Sequence, residues 1–181
     1  MTAFIQGERC SLRPLTREDV DRGWADWFND PEVTRYMLRG VFPIHHEEQV
    51  AFYEQVASGS QTDLVLGIVT PDGTHVGTTG LHRIDWVNRN AEFGIVVGDE
   101  QARGQGIGTE ATRLICGHGF SHLNLHRIWL GVHADHVAAI RSYEKVGFRV
   151  EGTMREEILR DGSYRDKLVM GLLAGELRRS D

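Results

Sequence analysis

The chain has no surplus of positive charge, no long apolar run and little cysteine, and each shortage removes a class of function. Its 20 Lys and Arg face 26 Asp and Glu, a formal charge of −6, and the basic residues are scattered rather than blocked. Binding to DNA or to an anionic membrane by bulk electrostatics is thereby disfavoured. No stretch approaches the roughly 18 apolar residues that a membrane span needs, and the opening MTAFIQGERC lacks a basic region followed by an apolar core and a small-residue cleavage site. A cytoplasmic protein is expected. The two cysteines, Cys10 and Cys116, have no metal-type spacing, and Cys116 lies in an apolar stretch suited to a reduced core thiol, so no disulfide is expected.

What is present reads as one domain spanning 1–181. With 40% hydrophobic and 25% charged residues the chain has the composition of a globular protein and the length for one well-buried core. RCSLRPL alternates like a short strand, and Thr16 with Asp19 resembles a capping arrangement before a helix carrying Val20, Trp24 and Phe28. Pro31 halts that helix, EVTRYM predicts a short second one, and residues 38–46 read as a loop. Val50, Tyr53 and Ala57 stand at helical spacing in a third. DLVLGIVT, HVGTTGLHRI and AEFGIVVG are then β-rich runs separated by PDG and NRN turns, which predicts three antiparallel strands. TEATRLICGHGFSHL (helix), RIWLGVH (strand), VAAIRSYEKV (helix, stopping at Gly147) and a long terminal hairpin around DGS complete the plan.

Between AEFGIVVG and the helix lies QARGQGIGTE, with glycines at 104, 106 and 108. Such residues let a backbone turn tightly and let a ligand approach the peptide amides. The free N–H groups of a helix's first turn favour an anion there, phosphate or pyrophosphate being well matched, and Arg103 offers a charge-assisted bond. A dinucleotide fingerprint needs G-x-G-x-x-G, whereas the spacing here is G-x-G-x-G; a Walker loop fails because no lysine follows the glycines. A ligand-free turn is the plain alternative.

Gln101-x-x-Gly104-x-Gly106, followed by AAIRSYEKVGFRVEG and REEILRDGSYRDKLVMGLL, resembles the GNAT superfamily of N-acetyltransferases. The branch resembled contains ribosomal-protein N-terminal acetyltransferases, spermidine acetyltransferases and enzymes acting on nucleotide-linked amino sugars, and the likeness covers nearly the whole chain. It implies an α/β (α+β) fold: a mixed twisted sheet of about seven strands with helices on both faces. The strands at 91–98 and 127–133 then splay into a V that holds acetyl-CoA. Its pantetheine arm is expected along Ile95, Val96 and Val97, and its pyrophosphate on the amides of Arg103, Gly104, Gln105, Gly106, Ile107, Gly108 and Thr109.

Acetyl transfer to an amine needs a neutral nitrogen, a polarised thioester and a proton for the departing sulfur. An alkylamine with a pKa near 10.4 is uncharged in about one molecule in a thousand at neutral pH, so a base or a desolvating pocket is required. Glu92, in a strand facing the splay, is the candidate base, with an ordinary structural glutamate as the alternative. A backbone N–H near Val97 is the candidate oxyanion donor. Tyr143 matches the family's thiolate-protonating tyrosine, its alternative role being a core aromatic three residues from Ile140. Where the family usually carries asparagine three residues before the helix alanine at 139, this chain has His136, which alters the expected contact to pantetheine.

His118 and His122 stand one helical turn apart, but no H-E-x-x-H or cysteine pair accompanies them and no metal is expected. Trp24, Trp27 and Phe28 read as a core face rather than an acceptor pocket. No serine or cysteine occupies a recognisable nucleophile setting, so direct attack by the amine is expected. The acceptor, a protein N-terminus or a small amine ahead of a polyamine, is placed between roughly Trp27 to His46 and the hairpin around Arg155 to Tyr164. Glu47, Glu48, Glu156 and Glu157 are possible carboxylates for a polyamine. A domain that binds acyl-CoA without turnover is the alternative of another class, and the hairpin offers an edge for a homodimer.

Overall fold

The computed structural model describes residues 3–37 and 40–178. Leu38 and Arg39, inside the expected loop, and the two termini of the expected 1–181 domain lie outside the described residues. In chain order the elements are β1 (Ile5–Gln6), β2 (Ser11–Pro14), α1 (Arg17–Asp19), α2 (Ala25–Trp27), α3 (Pro31–Thr34), α4 (His46–Ala57), β3 (Leu64–Val69), β4 (His75–Asp85) and β5 (Asn90–Val97). They continue with α5 (Ile107–Ser121), β6 (Arg127–His133), α6 (Val137–Val146), β7 (Arg149–Arg160) and β8 (Ser163–Leu173).

Among the described residues eight strands form one sheet in the order β1-β2-β3-β4-β5-β6-β8-β7. The strand beyond the expected seven is β1, two residues that pair with β2 and carry no alternating pattern long enough to read. Every neighbouring pair is antiparallel except β5 with β6. That parallel pairing covers only Asn90 with Arg127, Ala91 with Ile128 and Glu92 with Trp129. Beyond Glu92, β5 stays bonded to β4 as far as Val97, while β6 stays bonded to β8 as far as His133. The expected V therefore opens past Glu92 and Trp129.

Alternation along the strands feeds two cores. On one face, Ile107, Ala111, Ile115 and Cys116 of α5 and Val146 of α6 pack with Leu66, Ile68, Phe93, Ile128 and Leu130. On the other, Val65 packs with Leu15, Val20, Trp24 and Phe28, which places the first four helices there and settles the aromatic stripe as core. The first helix starts where Thr16 and Asp19 cap each other, then widens through Val20–Trp24 because Gly23 sits at φ +103°. Asp30 caps α3, which closes after four residues.

Candidate active site

The turn after β5 is tied down before the helix begins. Arg103 donates through Nε to Val97 O (3.2 Å) and through its terminal nitrogen to Gly98 O (2.9 Å). Its charge stays at the mouth of the turn, but its donors already serve these carbonyls. Gly104 and Gly106 have φ of +76° and +82°, a conformation that favours glycine, whereas Gly108 is helical. A β-carbon at Gly108 would meet Val97 Cγ2 at an ordinary 3.7 Å. The first helical bond of α5 runs from Glu110 N–H to Gly106 O (3.0 Å). The amides of Ile107, Gly108 and Thr109 thus precede any intrahelical partner and carry the positive end of a 15-residue helix. The Ile107 side chain is buried in the core, Gln105 is exposed, and Thr109 Oγ1 bonds Ser142 Oγ at 2.7 Å, docking α5 against α6.

One cation beside this loop was not legible in the sequence. Glu110, itself almost buried, accepts from the backbone N–H groups of Glu8 (2.7 Å) and Arg9 (2.8 Å). This clamp sets the Arg9 side chain against Gly106, with Cδ 3.6 Å and Nε 3.8 Å from where a β-carbon there would lie. No local pattern marks Arg9, because it reaches the loop only through the β1–β2 turn.

The open flank of β5 can be read from its other side. Gly98 N–H donates to Val76 O, so Val97 and Gly77 form a non-hydrogen-bonded pair, and by alternation so do Ile95 and Thr79. The main-chain groups of Ile95 and Val97 therefore point across the V, with Val97 O already accepting from Arg103. Val96 does not share this aspect. Its main chain faces β4 and its side chain packs in the second core, because successive residues of a strand alternate.

Tyr143 approaches from the α5–α6 face. Its ring makes an edge contact with Phe93 (centroids 5.9 Å), the residue after the last β5–β6 pair, and also packs on Phe148. Burial, with Cys116 nearby, pushes its phenol up to about 12, so the group stays protonated at neutral pH. Among the described residues its hydroxyl has no hydrogen-bond partner. Glu92 belongs to the opposite face, at the apex of the V, where its carboxylate is ion-paired with Arg83. It must part from that guanidinium before taking a proton.

His136 occupies the N-cap position of α6 without a side-chain capping bond, and the Tyr36 ring stacks on it. Burial, then neighbouring His133, lowers its pKa, so it is neutral at pH 7. The two expected acceptor segments do meet. Arg160 of the hairpin donates to the main-chain carbonyls of Met37 and Thr34, and a cleft of about 540 Å³ lined by Arg155, Glu156 and Asp166 lies on the hairpin. Asp166 O accepts from Ala134 N–H, which carries the β6–β8 pairing one residue past β6. Of the other carboxylates, Glu157 pairs with Lys167 at 3.0 Å, and Glu47 and Glu48 stand exposed on the first turn of α4.

The pattern of the Acetyltransferase (GNAT) domain matches residues 9–149, most of the described chain. The chain belongs to the GNAT acetyltransferase family. Among its relatives is the spermidine N(1)-acetyltransferase of Escherichia coli K12, 34% identical over 159 residues that cover 88% of this chain and 83% of that one. A putative ribosomal N-acetyltransferase of Bacillus subtilis is 32% identical over 58% of this chain and 57% of its own length. The Vibrio cholerae spermidine N-acetyltransferase, solved with CoA and spermine, superposes with a TM-score of 0.85 at 25% identity, covering 94% of this chain and 98% of that one. GNAT enzymes are acyltransferases that use acetyl-CoA. Among the described residues no group of three or more His, Cys, Asp or Glu side chains is placed to hold a metal ion, and His118 and His122 simply stack at 4.7 Å. Among the described residues no helix is long and apolar enough to cross a membrane.

Proposed function

We propose that this chain moves the acetyl group of acetyl-CoA directly onto a primary amine. The observation that carries this reading is the opening beyond Glu92, with Tyr143 packed on Phe93 just past the last β5–β6 pair. The pyrophosphate rests on the amides from Gly104 to Thr109 with Arg9 beside them, and pantetheine runs along Ile95 and Val97. The Ile95 N–H is the oxyanion donor because it points into the V. Tyr143 gives its proton to the departing sulfur. An acyl-enzyme is disfavoured: Cys10 and Cys116 are buried, and burial pushes both thiols up, away from the thiolate that attack requires.

The acceptor enters between Tyr36 and the hairpin, where Glu156 and Asp166 meet its ammonium group and Glu92 adds negative charge. A polyamine now ranks ahead of a protein N-terminus. The spermidine enzymes align over nearly the whole chain, whereas the ribosomal relative covers 58% of it. Binding without turnover is the weaker reading because the Tyr143 hydroxyl is unengaged. We further propose a cytoplasmic homodimer joined through β7, a 12-residue edge strand exposed along most of its length. A monomeric mass in solution would remove that part.

The test is thiol release from acetyl-CoA with spermidine, peptides beginning with Ala, Ser or Met, and amino sugars. Turnover with spermidine supports the reading in full. Release with peptides alone transfers it to N-termini, and tight coenzyme binding without release from any amine would overturn it.

A further inference from the structure

The sheet face beneath the first four helices carries no side chain at Gly80 on β4 or Gly94 on β5, which pair directly across the strands. His82 fills the space. A β-carbon at Gly80 would lie 2.7 Å from His82 Nε2, and one at Gly94 would lie 3.4 Å from both Nε2 and Cδ2. The imidazole thus reaches from β4 across onto β5. Gly94 is the second residue beyond Glu92, where β5 parts from β6, so Nε2 lies over the β4–β5 seam level with the start of the opening. His82 is also the cross-strand partner of Glu92 and shares its face, the one opposite Tyr143.

The other ring nitrogen is committed. Nδ1 lies 3.2 Å from Asp63 Oδ1, and Asp63 also accepts from Thr62 Oγ1 (2.8 Å), Ser60 Oγ (3.2 Å) and the Arg83 N–H (3.4 Å). Burial opposes the Asp63 charge, but these hydrogen bonds outweigh it and hold its pKa below the ordinary value. An ionised carboxylate only accepts, so in the neutral imidazole Nδ1 carries the proton and Nε2 presents a lone pair. Among the described residues Nε2 has no hydrogen-bond partner.

We propose that His82 Nε2 is the base that deprotonates the acceptor amine, with Asp63 as its positioning residue; this rests on the acetyl-transfer reading above. Nε2 takes one proton from the ammonium group, and the Asp63 carboxylate offsets the imidazolium charge. The neutral nitrogen attacks the thioester carbon, the carbon–sulfur bond breaks, and the sulfur takes the Tyr143 proton. The proton shed as the amide forms restores the phenol through solvent, and the imidazolium releases its own to water. The charged groups facing His82 are Asp63 before β3, Arg83 beside it on β4 and Glu92 on β5.

The experiment follows thiol release with spermidine and an Ala-peptide against pH for wild type, His82→Gln, Asp63→Asn and Glu92→Gln. His82→Gln is expected to lower kcat/KM about 100-fold or more, abolish the acidic limb of the pH profile and leave acetyl-CoA affinity unchanged. Asp63→Asn shifts that limb with a smaller loss of rate. Glu92→Gln raises the amine KM without moving the limb. A His82→Gln enzyme with wild-type rate and limb, or a limb lost in Glu92→Gln instead, would overturn the assignment while acetyl transfer itself stood. Nitrogen-15 NMR of the wild type checks it without any variant: an Nε2–H tautomer at neutral pH would also sink it. A wild type that acetylates neither probe nor any other amine removes the reading and the base together.

Discussion

The Tyr36 ring lies on the His136 imidazole with centroids 4.2 Å apart and planes inclined by 13°. Tyr36 also meets His133 edge-on at 5.5 Å. One aromatic side chain from the segment after α3 therefore closes over the tip of β6 and the start of α6. Removing it by Tyr36→Ala uncovers His136. The expected outcome is an upward move of the His136 pKa toward its ordinary value, followed by proton NMR. An unmoved titration would assign that burial to other neighbours.

Tyr143→Phe is expected to cut kcat about 100-fold while acetyl-CoA binding holds, because the hydroxyl matters only as thiolate develops. With its phenol pushed up to about 12 by burial and then by Cys116, the wild type should lose no activity to phenol ionisation up to about pH 10. Steady-state kinetics with calorimetric binding separates the two effects. Unaltered kcat would remove Tyr143 from the reaction.

Gly106→Val forces a branched residue to φ +82° and costs about 1–3 kcal/mol of stability. Circular dichroism should still show a folded protein. Coenzyme affinity should be lost, since the turn presenting the Ile107 to Thr109 amides would shift; retained affinity would place the phosphates elsewhere.

Arg9→Ala should raise the acetyl-CoA KM about tenfold and leave kcat nearly unchanged, the pattern of a charge-assisted phosphate contact. The same variant tested with a coenzyme fragment lacking the nucleotide should show no defect. A defect there would make Arg9 structural.

Asp19 tests the N-terminal scaffold. It accepts two bonds of 2.7 Å from Arg13, another of 2.7 Å from the Thr16 N–H, and faces His75 Nδ1 at 3.3 Å. Burial pushes its pKa up, but these bonds prevail and hold it at about 2. Because the folded pKa is depressed, the stabilisation is complete above the unfolded value near 3.9 and is lost as pH falls toward 2; it amounts to about 2 kcal/mol. Asp19→Asn should lower stability by at least that at pH 7 and flatten the acid limb of denaturant melts.

Much of the fold was legible because its signals are local. The α6 span from Val137 to Val146 and its stop at Gly147, the Thr16–Asp19 cap and the three central strands all follow from spacing, turns and capping within a few residues. The glycine turn before α5 was legible for the same reason, its residues sitting in a short motif, whereas Tyr143 was singled out through the family resemblance. Val96 was misplaced because register, which decides which main-chain groups face the V, depends on β4. Glu92 was read without Arg83, whose reach across the strands no spacing announces.

By itself the sequence determined the order of strands and helices and the glycine-bearing start of α5, and its resemblance to a family implied the mixed α/β fold. The element order and the helix start are written in periodicity and glycine placement, which act over one turn or one hairpin. Tertiary structure alone decided that Arg9 stands beside Gly106 through Glu110 and that His82 lies across Gly94 with Asp63 behind it. It likewise decided that Arg160 ties the hairpin to the loop after α3. Each of these joins residues from separate strands or helices, and the sheet's hydrogen-bond register and the closeness of its packed faces bring them within bonding distance.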